Sequence, residues 1–304
     1  MRPTTRFRQL LAQNGPLILP GVYDALSAHI AAQAGFDALY LSGSSVAASL
    51  LGKPDVGLTT LTEMTEVARR IALAGDLPVI ADADTGYGNA LNVMHMVRNY
   101  EAAGLAGLHI EDQVSPKKCG HFAGKDLVPA GEMVGKIHAA VDARRDPDFF
   151  IIARTDARGV TGLEDAIARS SAYAKAGADA IFLEAPGSRE EYAQISRALK
   201  GIPLVADVTE GGKSPALAAE EYEALGFKIV LFSASALRAT MKTLEHVYGR
   251  IKSEHTTNNI ADVIVAFEER NRILGLADVY KTEQKYAAPE SASAPGRKKL
   301  PPNS

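Results

Sequence analysis

The residues best placed to do chemistry lie in one stretch, Lys117-Lys118-Cys119-Gly120-His121, preceded by Asp82-Ala83-Asp84 and His109-Ile110-Glu111-Asp112. Cys119 is the only cysteine among 304 residues. Two lysines and a histidine flank it, and a thiol among cations has a lowered pKa and exists partly as thiolate. Taken alone, a single cysteine is as readily an inert loop residue. Its neighbours tip that balance. A charged loop hinged at glycine, directly after a strand tipped with carboxylates, has the composition of a lid over a site. Residues 115–124 are therefore expected to be mobile without ligand and ordered with it.

The elements that must hold these residues recur. Apolar strands are expected at 17–22, 38–41, 78–81, 107–110, 149–153, 180–183, 203–206 and 229–232. Helical periods fall between them, at 25–34, 62–73, 92–103, 132–144, 163–176, 190–199 and 216–225, with Thr62 as a candidate cap for the second. The segments ending Ala34-Gly35, Ala103-Gly104, Ala176-Gly177 and Leu225-Gly226 share one grammar: a helix closes on glycine and a buried strand follows within a few residues. Eight such βα units over about 230 residues predict an α/β fold, a closed (β/α)8 TIM barrel. An open doubly wound sheet is the alternative, but it would carry a glycine-rich phosphate turn that Gly21-Val22-Tyr23-Asp24 does not supply.

The ends of these strands converge on one face of a barrel, where active sites lie. They carry Tyr23 and Asp24, Tyr40 and Ser42, Asp82 and Asp84, His109 and Glu111, Arg154 and Asp156, Glu184, Asp207 and Ser233. Any one of these could be a helix cap. As a set, the carboxylates would repel without a cation. Oxygen donors with few imidazoles point to Mg²⁺, with Mn²⁺ as the alternative, and away from zinc. Arg154 offers a fork for a substrate carboxylate. The pattern implies a small di- or tricarboxylate held by metal and arginine under a mobile thiol.

Composition bounds the other possibilities. A hydrophobic share of 46% and a charged share of 23% are those of a globular chain, and a net charge of −3 with no basic cluster argues against nucleic acid. No apolar run reaches the roughly 18 residues of a membrane helix. The lone cysteine suits a reducing compartment, so a cytoplasmic location is expected. The basic N-terminus lacks the apolar core of a secretory signal and is expected to form a short surface helix ending at Asn14-Gly15-Pro16, an organelle presequence being the alternative.

Together, Lys117-Lys118-Cys119-Gly120-His121, Asp82-Ala83-Asp84-Thr85-Gly86-Tyr87-Gly88, His109-Ile110-Glu111-Asp112-Gln113 and Gly52-Lys53-Pro54-Asp55-Val56-Gly57 resemble the isocitrate lyase/phosphoenolpyruvate mutase superfamily. The likeness runs from about Gly21 to Tyr248. The cysteine-bearing loop is similar to that of its short lyases, which act on 2-methylisocitrate or 2,3-dimethylmalate, and of the oxaloacetate hydrolases; the phosphonate mutases lack the cysteine.

The resemblance implies a mechanism. Mg²⁺ would be held by Asp84 directly, with Asp82 and Glu111 partly through water. Arg154 and the amides near Ser42, Gly43 and Ser44 would anchor the 2-oxo-acid half. Tyr40, or alternatively Asp55, would orient or relay the hydroxyl proton. Lys117 and Gly120 belong to the cationic loop, Cys119 would protonate the departing carbanion, and Glu184 and His121 would hold the second half or the closed lid. Two positions depart from the methylisocitrate lyases: Asp207 stands where they usually have Asn, and Ser233 where they have Pro. An acidic Asp207 disfavours a tricarboxylate and favours a smaller substituted malate. A serine near Ser233 is associated with oxaloacetate hydrolysis, the alternative function; a helix cap is its plain role. A non-catalytic metabolite-binding barrel would have lost the thiol or the acidic cluster.

The catalytic domain is expected over 1–255, and an amphipathic helix over 258–274 within a C-terminal segment 256–286. In the family such helices pack on or swap with a neighbouring subunit, which implies a homotetramer. The tail 287–304, rich in Pro, Ser, Ala and Lys, is expected to be disordered.

Overall fold

A computed structural model describes residues 1–287. Eight parallel strands close in sequence order: β1 (Leu17–Val22), β2 (Leu39–Leu41), β3 (Val79–Asp82), β4 (Gly107–Glu111), β5 (Phe150–Thr155), β6 (Ala180–Leu183), β7 (Leu204–Asp207) and β8 (Ile229–Phe232). Leu17 pairs with Ile229 and Leu19 with Leu231 where β8 meets β1. The helices are α1 (Pro3–Leu11), α2 (Ala25–Gln33), α3 (Gly43–Leu51), α4 (Leu61–Gly75), α5 (Ala90–Ala102), α6 (Ala130–Ala143), α7 (Leu163–Lys175), α8 (Arg189–Ala198), α9 (Ala219–Ala224) and α10 (Ser235–Glu254). The expected (β/α)8 barrel is the fold.

Strand periodicity sorts the side chains. Leu39 and Leu41 pack outward against the helices, while Tyr40 joins the barrel interior with Ile80, Ile152, Phe182, Val205 and Leu231. Alternation carries that inward column two residues on, to Asp82, Arg154, Glu184, Asp207 and Ser233. The apolar rows fill the barrel, and the next polar row forms its mouth.

Local chemistry accounts for three departures from the expected elements. Thr60, not Thr62, caps α4: Glu63 accepts from the Thr60 amide at 2.8 Å in a capping box. A further helix, absent from the expected ones, follows Ser42, because the Ser42 hydroxyl accepts from the Ser45 amide and Gly52, at φ 62°, closes α3. The N-terminal helix is not merely a surface element. Phe7 on α1 is fully buried in the barrel interior and meets Phe150 edge-on at 5.1 Å.

The chain forms two compact units, Met1–Lys242 and a second beginning at Thr243, with the division inside α10. In the second unit the single helix expected over 258–274 is broken into a short 3-10 turn (Asn258–Ile260) and α11 (Phe267–Ile273), and a further helix, α12 (Leu276–Tyr286), follows it. The β-branched run Val263-Ile264-Val265 disfavours helix, and Gly275, left-handed at φ 73°, separates the last two. The expected disordered tail lies, from residue 288, outside the described residues. Among the described residues no helix is long and apolar enough to cross a membrane.

Candidate active site

A cleft of about 490 Å³ opens at the C-terminal ends of the strands, lined by Tyr40, Ser42, Ser44, Asp55, Asp82, Cys119, Gly120, His121, Arg154, Glu184, Asp207 and Ser233 together with Phe182, Thr209 and Ala234. Residues up to 194 positions apart in the chain, Tyr40 and Ala234, thus meet because parallel strands end side by side. Asp84, Glu111, Lys117 and Gly43 do not line the cleft. Gly43 is required by close approach: a Cβ there would lie 2.5 Å from Asp82 Oδ2.

Acidic groups cluster on the β3–β4 side. Asp82 Oδ1 accepts from the Asp84 amide at 3.0 Å, and Asp84 is held at φ 45°. The Lys117 ammonium lies 2.9 Å from Asp84 Oδ1 and 2.6 Å from Asp55 Oδ1. Burial, with Asp82 and Asp55 nearby, pushes the Asp84 carboxyl up to about 6 against the pull of Lys117. Glu111 is fully buried, with no hydrogen-bond partner for either oxygen, and burial pushes its pKa well up. Tyr40 donates to or accepts from His109 Nε2 at 2.7 Å, and burial holds the His109 imidazole down to about 4.

Arg154 is less free than its sequence position suggests. Nε and Nη2 bond the two oxygens of Asp156 at 2.9 and 3.2 Å, and the guanidinium lies 5.1 Å from the centre of the Phe182 ring. Nη1 points to Glu184 Oε2 at 3.6 Å. Only that arm remains for a substrate carboxylate. Asp156 belongs to an anchored corner of β5: its amide donates to Asp112 Oδ1 at 3.0 Å, and Asp112 also accepts from Thr155 and Tyr173.

The cysteine loop is folded over the cleft. The Gln113 side chain clamps the backbone of Lys118 at 2.8 and 3.0 Å, and the Cys119 amide donates to the Asp55 carbonyl at 3.1 Å. A Cβ on Gly120 would lie 2.4 Å from Glu184 Oε1 and 2.5 Å from Arg154 Nη2, so only glycine lets the loop sit this low. His121 Nδ1 accepts from the Lys213 amide at 3.1 Å, which places the ring proton on Nε2, 3.3 Å from Glu184 Oε1. The expected thiolate is not supported: burial pushes the Cys119 thiol up rather than down. The cations next to it in sequence turn away, Lys117 to Asp84 and Lys118 to the Gly124 carbonyl. The thiol is thus kept protonated, as a proton donor requires.

The opposite wall holds Asp207. Its Oδ2 accepts from Ser233 at 3.0 Å and Thr209 at 2.8 Å, while Oδ1 is buried without a partner. Burial raises both Asp207 and Glu184. Ser233 spends its hydroxyl on the pocket wall, two residues before α10 begins.

Two donor sets could take a cation. Among the described residues, His121, Glu184 and Asp207 bring ligand atoms within 4.8 Å of one another. Asp82, Asp84 and Glu111 are spread more widely around the Lys117 ammonium. Glu111 Oε2 lies 3.3 Å from Arg154 Nε, but its unpartnered Oε1 and the all-oxygen donor set nevertheless fit a hard cation such as Mg²⁺, whereas the imidazole-containing set suits softer metals. Sequence reasoning missed Phe182 and Thr209, which line the cleft. Phe182 sits two residues before Glu184, so strand period alone could have found it; Thr209 follows the end of β7 and carries no periodic signal.

The phosphoenolpyruvate phosphomutase family model matches residues 7–252. The 2,3-dimethylmalate lyase of Eubacterium barkeri is 45% identical over 94% of this chain and 99% of its own length. The 2-methylisocitrate lyase of Escherichia coli (strain K12) is 42% identical over 93% of this chain and 95% of its own. The solved structure of oxaloacetate acetylhydrolase with 3,3-difluorooxalacetate superposes with a TM-score of 0.88 at 36% identity, covering 94% of this chain and 98% of that one. With relatives of this similarity, the chain is an enzyme, a carbon–carbon lyase. It belongs to the phosphoenolpyruvate phosphomutase family, within the isocitrate lyase/PEP mutase superfamily.

Proposed function

We propose that the protein is an Mg²⁺-dependent lyase that splits a 2-hydroxy dicarboxylate of the 2,3-dimethylmalate type into a 2-oxo acid such as pyruvate and a second carboxylate. The observation that carries this reading is the Cys119 loop closed over a cleft whose walls are Arg154 and oxygen donors, where burial pushes the thiol up and so favours its protonated form. Asp84 would hold the cation, with Asp82 and Glu111 beside it. When bound, the cation supplies Lewis-acid stabilisation of negative oxygen on the 2-oxo-acid half.

The chain's own residues supply the proton traffic. Arg154 Nη1 and the first amides of α3, at Gly43 and Ser44, anchor the carboxylate next to the hydroxyl carbon. Tyr40 relays the hydroxyl proton to His109 Nε2, 2.7 Å away, or Asp55 takes it directly, and the oxygen's electron pair becomes the new carbonyl as C2–C3 breaks. The bonding pair leaves on C3, spread into the neighbouring carboxylate, and Cys119 delivers a proton to that carbon. The proton lost at oxygen balances the proton gained at carbon, and the thiol is restored from solvent. Asp207 and Glu184 already place two carboxyl groups on the cleft wall, which favours a substituted malate over methylisocitrate.

One observation favours a second reading. The Ser233 hydroxyl on Asp207 faces the cleft, where it could bond the hydrated carbonyl of oxaloacetate, whose cleavage gives oxalate and acetate. A panel of dimethylmalate, methylisocitrate, citramalate and oxaloacetate, assayed with Mg²⁺ for 2-oxo acid and for oxalate, separates the two. Turnover of dimethylmalate above the others supports the lyase; oxalate as the main product supports the hydrolase.

A homotetramer is part of this proposal. The second unit exposes Tyr248, Phe267 and Tyr286 at 64%, 64% and 73%, more apolar surface than a free helix gains from. Light scattering at four times the chain mass supports it, and a monomer mass contradicts it.

A further inference from the structure

We infer that Lys125 is a positioning residue that ties the placement of Cys119 to the orientation of Arg154. The inference rests on the lyase reading, with Cys119 as the acid. Lys125 does not line the cleft, yet its side chain is only 2% exposed. A buried ammonium is held only where its donors are used. One donates to Asp156 Oδ1 at 2.7 Å, and another to the Gly120 carbonyl, one residue past the thiol. Asp156 is the carboxylate that grips Arg154 through both Nε and Nη2.

One end of this chain of contacts is fixed and the other can move. Asp156 is anchored to the barrel through Asp112, which its backbone amide meets at 3.0 Å. Gly120 belongs to the loop folded over the cleft, which on the lyase reading opens to admit substrate, and Lys125 follows Gly124, left-handed at φ 70°, where that loop rejoins the barrel. Each opening therefore breaks a charge-assisted bond to the Gly120 carbonyl, and each closure remakes it against the carboxylate that aims the guanidinium. The thiol and the substrate-binding arm are brought into register by one ammonium that touches neither substrate half.

Lys125→Met keeps the apolar stem and removes the donors. A hydrogen bond to a charged group is worth on the order of 10- to 100-fold, and that loss is expected in kcat, with KM changed less than about threefold. The discriminating measurement is a double-mutant cycle. In a Cys119→Ser background, where the acid is already gone, Lys125→Met should cost less than about twofold more. A structural lesion would instead cost the same factor in both backgrounds and would overturn the inference. Lys125→Gln, which keeps an amide donor, is expected to regain part of the loss and serves if the Met variant does not fold; a Gln variant as active as the wild type overturns it. Full activity of Cys119→Ser alone would sink the lyase reading itself. Impaired Cys119→Ser with unimpaired Lys125→Met sinks only the role of Lys125.

Discussion

Lys117 Nζ stands 2.9 Å from Asp84 Oδ1, inside the carboxylate group that the lyase reading assigns to a metal. These buried acids are thus answered by Lys117 from the loop and by Arg154, whose Nε lies 3.3 Å from Glu111 Oε2, while Glu111 Oε1 has no hydrogen-bond partner and leaves room for a further cation. If Asp84 is the direct ligand, Asp84→Ala should remove about 4 kcal/mol of transition-state stabilisation, about 10³-fold in turnover. Circular dichroism should be unchanged. Full turnover in excess chelator would remove the metal from the account.

Phe7 closes the bottom of the barrel against Phe150. Phe7→Ala should cost about 3–5 kcal/mol of stability, the usual range for a buried aromatic. Urea unfolding checks it. A change within about 0.5 kcal/mol, typical of exposed positions, would mean that α1 does not plug the barrel.

The barrel was legible because its signal repeats: helix, glycine, buried strand. The mouth was legible because strand period carries Ile152 to Arg154 and Phe182 to Glu184. Electrostatics was less so. Neighbours in sequence suggested that Lys117, Lys118 and His121 activate Cys119, but side-chain direction sends Lys117 to Asp84 and leaves burial to govern the thiol. Arg154 likewise looked free, and only tertiary contact reveals that Asp156 occupies two of its arms. The C-terminal helix was misplaced because apolar period outweighed the β-branched run at 263–265.

Burial raises the Cys119 thiol, which fixes the sign of a pH effect. The acid works protonated, so the alkaline limb of kcat/KM should fall above the ordinary thiol value of about 8.5. Alkylation by iodoacetamide at pH 8 should be slow. A limb below about 7, with fast alkylation, would restore the activated thiolate.

Ser233 donates to Asp207 at 3.0 Å. Ser233→Pro removes that hydroxyl and should lower oxaloacetate hydrolysis by about tenfold relative to dimethylmalate cleavage, the worth of roughly one hydrogen bond. An unchanged ratio of the two activities would confine Ser233 to a structural role.

The central claim is that Cys119 gives a proton to carbon. Cys119→Ser keeps size and hydrogen bonding but offers a far weaker acid. Steady-state kinetics on the preferred substrate should show kcat lower by about 10²–10⁴-fold with KM little changed, because the missing interaction belongs to the transition state. A Cys119→Ser enzyme with near-full kcat on every substrate of the panel would contradict the account.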